Sequence, residues 1–234
     1  MPKSRDVGDE RVIIIGLGRF GRGVAKTLHE LGYEVTAVDL DERQVEAAAD
    51  YVSLAVQGDG ADEELLRSLQ ADRASVGIVA QGRSLEANML AALILKKVGV
   101  RWVVAKATSD LHGELLRRIG VNRVIYPERD SAIRLAHAVA VPSINDYISL
   151  SPTSGVAKFE APHYFIGQTL NDLYGEGGGQ LSVLLIKRGN LMVSSPSFQE
   201  PIQAGDEIVV AGPDRDIERF VEGPATERER DRER

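Results

Sequence analysis

Gly16, Gly18 and Gly21 stand in the order GxGxxG, directly after the apolar run VIII and at the opening of a stretch with helical period. That spacing suits the holding of phosphates. The first glycine permits a tight turn, the second lets backbone approach a phosphate closely, and the third lets helix pack against strand. A helix that opens there offers unpaired N–H groups and the positive end of its dipole to phosphate oxygens. Asp39 closes the next β-branched run, EVTAVD, 18 residues beyond Gly21. A carboxylate at that place accepts both ribose hydroxyls of an adenosine and disfavours a 2′-phosphate, so the pattern predicts an adenine nucleotide or NAD rather than NADP. The competing reading is a glycine turn needed only for packing.

Other candidates fall at strand ends, where open parallel sheets bind ligands. Arg19 lies inside GLGRFG beside Phe20, and both are counted with the site. A guanidinium there suits a charged polyphosphate better than a nicotinamide riboside; the plainer reading is a solvated arginine in a first helical turn. Asp59, in QGDG, follows the third strand and either reaches the adenine side or closes a turn. Gln81 follows the fourth strand with the same two readings. Lys106 interrupts VVAKA at the end of the fifth, as a ligand contact or as a lysine extending to water. Glu128, in YPERD, follows the sixth, as a site residue or as an acid favoured by a helix N-terminus.

These positions require a particular scaffold. From Arg11 to Pro127 short β-branched runs (RVIII, EVTAVD, VSLAV, SVGIVA, RWVVAKA, RVIYP) alternate with stretches of helical period, the pattern of a parallel sheet with crossover helices. The expectation is an α/β fold: a Rossmann-type, doubly wound, parallel six-stranded sheet over 11–127. Residues 1–10 are expected to be flexible. Residues 128–150 are expected to form a crossover helix and a second helical piece ending near Leu150, separated by a break at Pro142 and Ser143. SLSPTSG, Ser149 to Gly155, reads as a linker. A smaller α+β lobe then follows over 151–214: strand GVAKFEA, short helix GQTLNDL, a hairpin turning at Gly189 and Asn190, and strand EIVVAG after the turn at Gly205. Residues 215–234 read as an end and a charged, disordered tail, TERERDRER.

Composition narrows the function. The 234 residues carry 28 Lys plus Arg against 35 Asp plus Glu, a net charge of −7, which argues against general affinity for nucleic acid or an anionic membrane. With no cysteine, thiolate nucleophiles and cysteine-ligated metals are excluded. No apolar run approaches the roughly 20 residues that span a bilayer, so direct membrane insertion is not expected, and a reducing cytoplasm fits.

Enzyme classes can be tested against the letters. No tyrosine has a lysine four positions on, as a short-chain dehydrogenase needs, and the phosphoryl-transfer loop GxxxxGK[ST] is absent. A 2-hydroxy acid dehydrogenase needs a partnered histidine, whereas His29, His112, His137 and His163 are scattered. A methyltransferase sheet ends in an antiparallel hairpin, whereas here the sixth strand leads into a helix. Nucleotide binding without catalytic machinery points to a regulator; an NAD-dependent oxidoreductase with an unrecognised active site is the alternative.

Both halves of the chain resemble one family. IIIGLGRFGRGVA, the Asp39 strand end, QGDG, VVAKA, YPERD, IGQTLNDL, VLLIKRGNLMVSSP and IQAGDEIVVAG are similar to the RCK regulators of potassium conductance, and GRFG is most similar to KtrA- and TrkA-type gating subunits of bacterial potassium uptake. The resemblance implies a homodimer built into an octameric ring at the inner face of the cell membrane, docked on a KtrB- or TrkH-like potassium-translocating subunit. It implies ATP or ADP, or alternatively NAD or NADH, at the glycine site. Gly16, Gly18 and Gly21 would hold phosphates, Asp39 the ribose, Asp59 the adenosine region and Arg19 a terminal phosphate. Glu128 matches an acidic position that binds Mg²⁺ or Ca²⁺ between protomers, and the small lobe binds cyclic di-AMP in some relatives.

Overall fold

Arg11–Ile15 carries four consecutive apolar residues, so a strand made from it must be covered on both faces. In the computed structural model this strand, β1, sends Ile13 and Ile15 into one core and Val12 and Ile14 into another. The structure describes residues 10–82, 84–140, 144–151, 153–174 and 180–222. The chain divides into two compact units between Glu128 and Arg129.

The first unit is the expected doubly wound sheet. Strands β2 (Glu34–Asp39), β3 (Leu54–Gln57), β4 (Val76–Val79), β5 (Trp102–Lys106) and β6 (Arg123–Ile125) join β1 in the order β3-β2-β1-β4-β5-β6, all parallel. Helices α1 (Arg19–Glu30), α2 (Glu42–Ala48), α3 (Glu63–Ser68), α4 (Leu85–Val98) and α5 (Asp110–Ile119) cover the two faces. The winding reverses between β1 and β4, which register Val12↔Val76 through Ile15↔Val79, so their carboxyl ends form the topological switch point at which open parallel sheets bind ligands. Helix starts are written into the sequence as capping side chains. Asp41 accepts from Arg43 N–H, Asp62 from Glu64 and Leu65 N–H, Ser84 from Ala87 N–H and Ser109 from His112 N–H.

Helix α6 (Pro127–Ala140) follows β6. The second unit holds a five-stranded antiparallel sheet in the order β10-β9-β11-β8-β7, from β7 (Ile144–Ser151), β8 (Ser154–Glu160), β9 (Ser182–Arg188), β10 (Leu191–Ser194) and β11 (Asp206–Pro213). The short α7 (Leu170–Tyr174) and α8 (Asp214–Glu222) accompany it. Its core gathers Tyr147, Phe159, Phe165, Ile186, Ile208 and Ile217.

Three expectations for this region are corrected. The segment ending near Leu150 is strand β7, not a helix. Its inward residues Ile144 and Tyr147 are three apart because the register with β8 shifts between Ile144 and Asp146; a bulge thus imitates helical spacing. Ser149 to Gly155 is not a linker: Ser149 pairs with Gly155 and Ser151 with Ser154, so it turns the β7–β8 hairpin. The lobe does not end at residue 214. Helix α8 buries Ile217 and Val221, one turn apart, in a stretch whose other residues are mostly charged. The break at Pro142 and Ser143, residues 1–9 and the tail TERERDRER lie outside the described residues.

Candidate nucleotide-binding site

The three glycines have three separate physical reasons. Gly16 has φ +96°, a backbone region that side chains disfavour, and a Cβ there would sit 2.6 Å from Gln81 N. A Cβ on Gly21 would sit 1.9 Å from the Gly16 carbonyl oxygen, so α1 can pack on the turn only without one. Around Gly18 the reverse holds: nothing among the described residues lies within 4 Å of its Cβ direction. Two glycines are therefore required by the protein itself and the third leaves open space.

Gly18 is also the N-cap of α1, with no side-chain cap and no acidic residue in the first turn. Helices α2 to α5 each have a capping oxygen, whereas among the described residues no side chain caps the first N–H groups of α1. An anion is the natural partner of such an end.

Asp39 ends β2 beside the turn. Its Oδ2 accepts from Leu17 N–H at 2.5 Å and its Oδ1 from Asp41 N–H at 2.9 Å. The carboxylate thus ties the glycine turn to β2 and retains lone pairs for further donors. Asp59 is exposed, and its Oδ1 accepts from Ala61 N–H at 2.9 Å, which makes it a turn residue in this molecule. Its neighbours carry an unforeseen constraint: Cβ atoms on Gly58 and Gly60 would meet Leu65 at 2.4 Å and Ile15 at 2.0 Å.

At the carboxyl end of β5, Lys106 pairs with Glu128. Its side chain is only 11% exposed, while that of Glu128 is 69% exposed. The Lys106 ammonium holds the Glu128 carboxyl below its ordinary range, and Arg19 adds a small pull. Lys106 Nζ also lies 5.9 Å from the Phe20 ring centroid. Phe20, Lys106 and Glu128 therefore meet in one cluster, with Arg19 exposed on the first turn of α1. Among the described residues no group of three or more His, Cys, Asp or Glu side chains could hold a metal ion, so a cation at Glu128 needs further oxygens from elsewhere.

Gln81 Nε2 is buried with no hydrogen-bond partner among the described residues. An unsatisfied buried donor costs about 1–3 kcal/mol, and this one lies on the residue that walls the Gly16 turn. Asn88 and His112, fully buried on α4 and α5, were not foreseen as part of the site. They join the ends of β4 and β5 through hydrogen bonds to the Gln81 and Lys106 carbonyls. The available signal was a polar residue, Asn88, on the otherwise apolar stripe of Ala91, Ala92, Leu95 and Val98. A cavity lined by Arg11, Glu34, Ser53 and Gln70 opens at the amino ends of β1 and β2, the end opposite the glycine turn.

The first unit matches the TrkA-N domain model over residues 12–127, and the second matches the TrkA-C domain model over residues 157–222. The Ktr system potassium uptake protein C of Bacillus subtilis (strain 168) is 39% identical over 207 residues, covering 88% of this chain and 94% of that protein. The chain belongs to the RCK family, in its Ktr and Trk branch. In fold, this RCK chain is similar to the GsuK RCK domain, with TM-score 0.62 and 19% identity over 96% of this chain and 50% of that one. The GsuK channel bound to NAD gives TM-score 0.61 at 19% identity, over 96% of this chain and 41% of that one. No helix among the described residues of the RCK chain is long and apolar enough to cross a membrane.

Proposed function

We propose that this RCK chain is a nucleotide-sensing regulatory subunit that passes the state of its Rossmann site to a membrane potassium-translocating subunit of KtrB or TrkH type, without turning the nucleotide over. The observation that carries the reading is the uncovered N-terminus of α1, held by Gly16 and Gly21 and flanked by Asp39. The potassium uptake role named for the Bacillus relative and the NAD bound to the GsuK channel both support it.

In this reading α1 receives the phosphates shared by ATP, ADP and NAD, and Asp39 receives the ribose hydroxyls on its remaining lone pairs. Gln81 Nε2 gains an acceptor. Asp59 lines the adenosine region through its turn. Arg19 and Lys106 face the end of the phosphate chain, which favours ATP over ADP, with Phe20 packing beneath Lys106. The chain works as a homodimer within an octameric ring, peripheral to the inner face of the membrane. Glu128 joins a Mg²⁺ or Ca²⁺ site completed by a second protomer's oxygens, which suits a hard cation. Nucleotides shift the ring only by the difference in their affinity for its two shapes.

Calorimetry on the purified chain tests the reading. ADP, ATP and NAD are expected to bind, NADH is expected to be unconsumed, and ATP and ADP are expected to alter ion flux differently when the chain is reconstituted with its membrane subunit. Absence of nucleotide binding, or sustained NADH turnover, refutes it.

A further inference from the structure

Two polar side chains sit in the apolar core between α4 and α5. Asn88 is 0% exposed and His112 is 1% exposed. Asn88 Nδ2 donates to the Gln81 carbonyl at 2.6 Å and to the Lys106 carbonyl at 3.2 Å. Asn88 Oδ1 lies 3.1 Å from His112 Nε2, and His112 Nδ1 lies 3.3 Å from Thr108 N. Since an amide oxygen and a backbone N–H have fixed roles, the ring is neutral with its proton on Nε2. Each polar atom of both side chains then has a partner, as a buried polar network needs if it is to hold a single geometry.

What this network holds is specific. The β4–β5 ladder ends at Val79↔Ala105. Beyond it, one amide group from Asn88 ties the Gln81 and Lys106 carbonyls together. Gln81 walls the Gly16 turn and carries the unpartnered Nε2; Lys106 carries the ammonium that meets Glu128 and faces Phe20. Lys106 is also held by its pairing with Ile125 on β6, whereas the side-chain tie from Lys106 to Gln81 is made by Asn88, seated by His112.

We infer that Asn88, seated by His112, is a positioning residue for the nucleotide site, fixing the spacing at which Gln81 and Lys106 reach one ligand. The inference rests on the nucleotide reading above. A merely structural pair would lower stability when broken and leave the folded protein's affinity and its Lys106–Glu128 contact unchanged.

The test uses the full chain, with ADP as probe and His112→Leu, His112→Gln, Asn88→Ser and Leu95→Ala as variants. His112→Leu removes the donor to Asn88 and should weaken ADP binding about tenfold, the loss of about one hydrogen bond. His112→Gln keeps an amide donor and should stay within about threefold of wild type. Leu95→Ala, a buried truncation on the same helix, should lower stability without changing affinity. The second readout needs no nucleotide: carbon NMR titration of Glu128 should move up toward the ordinary carboxylate range in His112→Leu as Lys106 loses its position. Asn88→Ser carries the same expectations should His112→Leu not fold. Wild-type ADP affinity together with an unmoved Glu128 titration in the folded variants overturns the inference. Failure of wild type itself to bind ADP overturns the nucleotide reading first, and the inference with it.

Discussion

Gly18→Ala separates the needs of the fold from those of a ligand. At φ −60° and ψ −178° the residue has an extended backbone that alanine adopts freely, and nothing among the described residues lies within 4 Å of the added methyl. The stability loss is then limited to a poorer N-cap, about 0.5–1 kcal/mol. The same methyl stands where a phosphate oxygen must come to within about 2.9 Å of the α1 N–H groups. Loss of one charge-assisted hydrogen bond, about 1.5–3 kcal/mol, lowers affinity by about one to two orders of magnitude. Calorimetry should show that loss for ADP and NAD but not for adenosine, which lacks the phosphates. Gly21→Ala is the counterpart: its Cβ would lie 1.9 Å from the Gly16 carbonyl oxygen, so α1 must move, and a clear fall in melting temperature is expected. Folded Gly18→Ala that binds ADP as tightly as wild type would refute phosphate placement at this helix end.

Asp39→Ala should weaken ATP, ADP and NAD alike by about 1.5–3 kcal/mol and also lower the melting temperature, because the carboxylate anchors Leu17 N–H; unchanged affinity by calorimetry removes it from the site. Arg19→Ala should narrow the preference for ATP over ADP, whereas equal weakening of ATP, ADP and NAD would mean that the side chain only supports the loop. Burial lowers the His112 pKa from its ordinary 6.5, so on acidification the unfolded chain takes up a proton that the folded one refuses. Stability should therefore be full above about pH 6.5 and decline as pH falls toward the lowered value; a melting temperature as pH-dependent in His112→Gln as in wild type would assign the decline elsewhere. Glu128→Gln should reduce the affinity of ATP-loaded protein for Mg²⁺ and Ca²⁺, and identical cation titrations would leave Glu128 as a partner of Lys106 alone.

The parallel sheet was legible because its strands are buried on both faces and its helices α2 to α5 begin at residues whose side chains cap them. The glycine turn was legible for a related reason: GxGxxG records contacts local to one strand and one helix. Elements whose logic is long-range were not. The β7 bulge gives Ile144 and Tyr147 a spacing of three, which in a linear reading belongs to a helix. Helix α8 is mostly charged, and its two buried residues gain meaning only against Phe165 and the other residues of the lobe core. Asn88 and His112 meet across 24 positions, and Gly60 is fixed by Ile15, which is 45 positions away. Such pairings are products of the fold, and each residue taken singly carries no sign of its partner.

The division between rigid floor and charged rim bears on how a sensor differs from a binder. Gly16, Gly21, Gln81 and Asn88 are fixed by backbone contact or buried hydrogen bonds, and in the proposed reading the turn they hold meets the adenosine diphosphate common to ATP, ADP and NAD. Equal contact with a shared moiety supplies affinity and no discrimination, and equal affinity for two conformations shifts neither. Discrimination must come from groups that can exchange partners: Arg19, exposed at the first turn of α1, and the Lys106–Glu128 pair, whose carboxylate is 69% exposed. Driving a ring from 1:99 to 99:1 takes about 5.5 kcal/mol, more than one charge-assisted hydrogen bond of about 1.5–3 kcal/mol supplies. Repeated over the sites of an oligomer, the same contact is sufficient. A chain that keeps its floor and loses its rim should therefore still bind nucleotide and no longer report which one is bound, an outcome that Arg19→Ala would show as retained ADP affinity with equal channel responses to ATP and ADP.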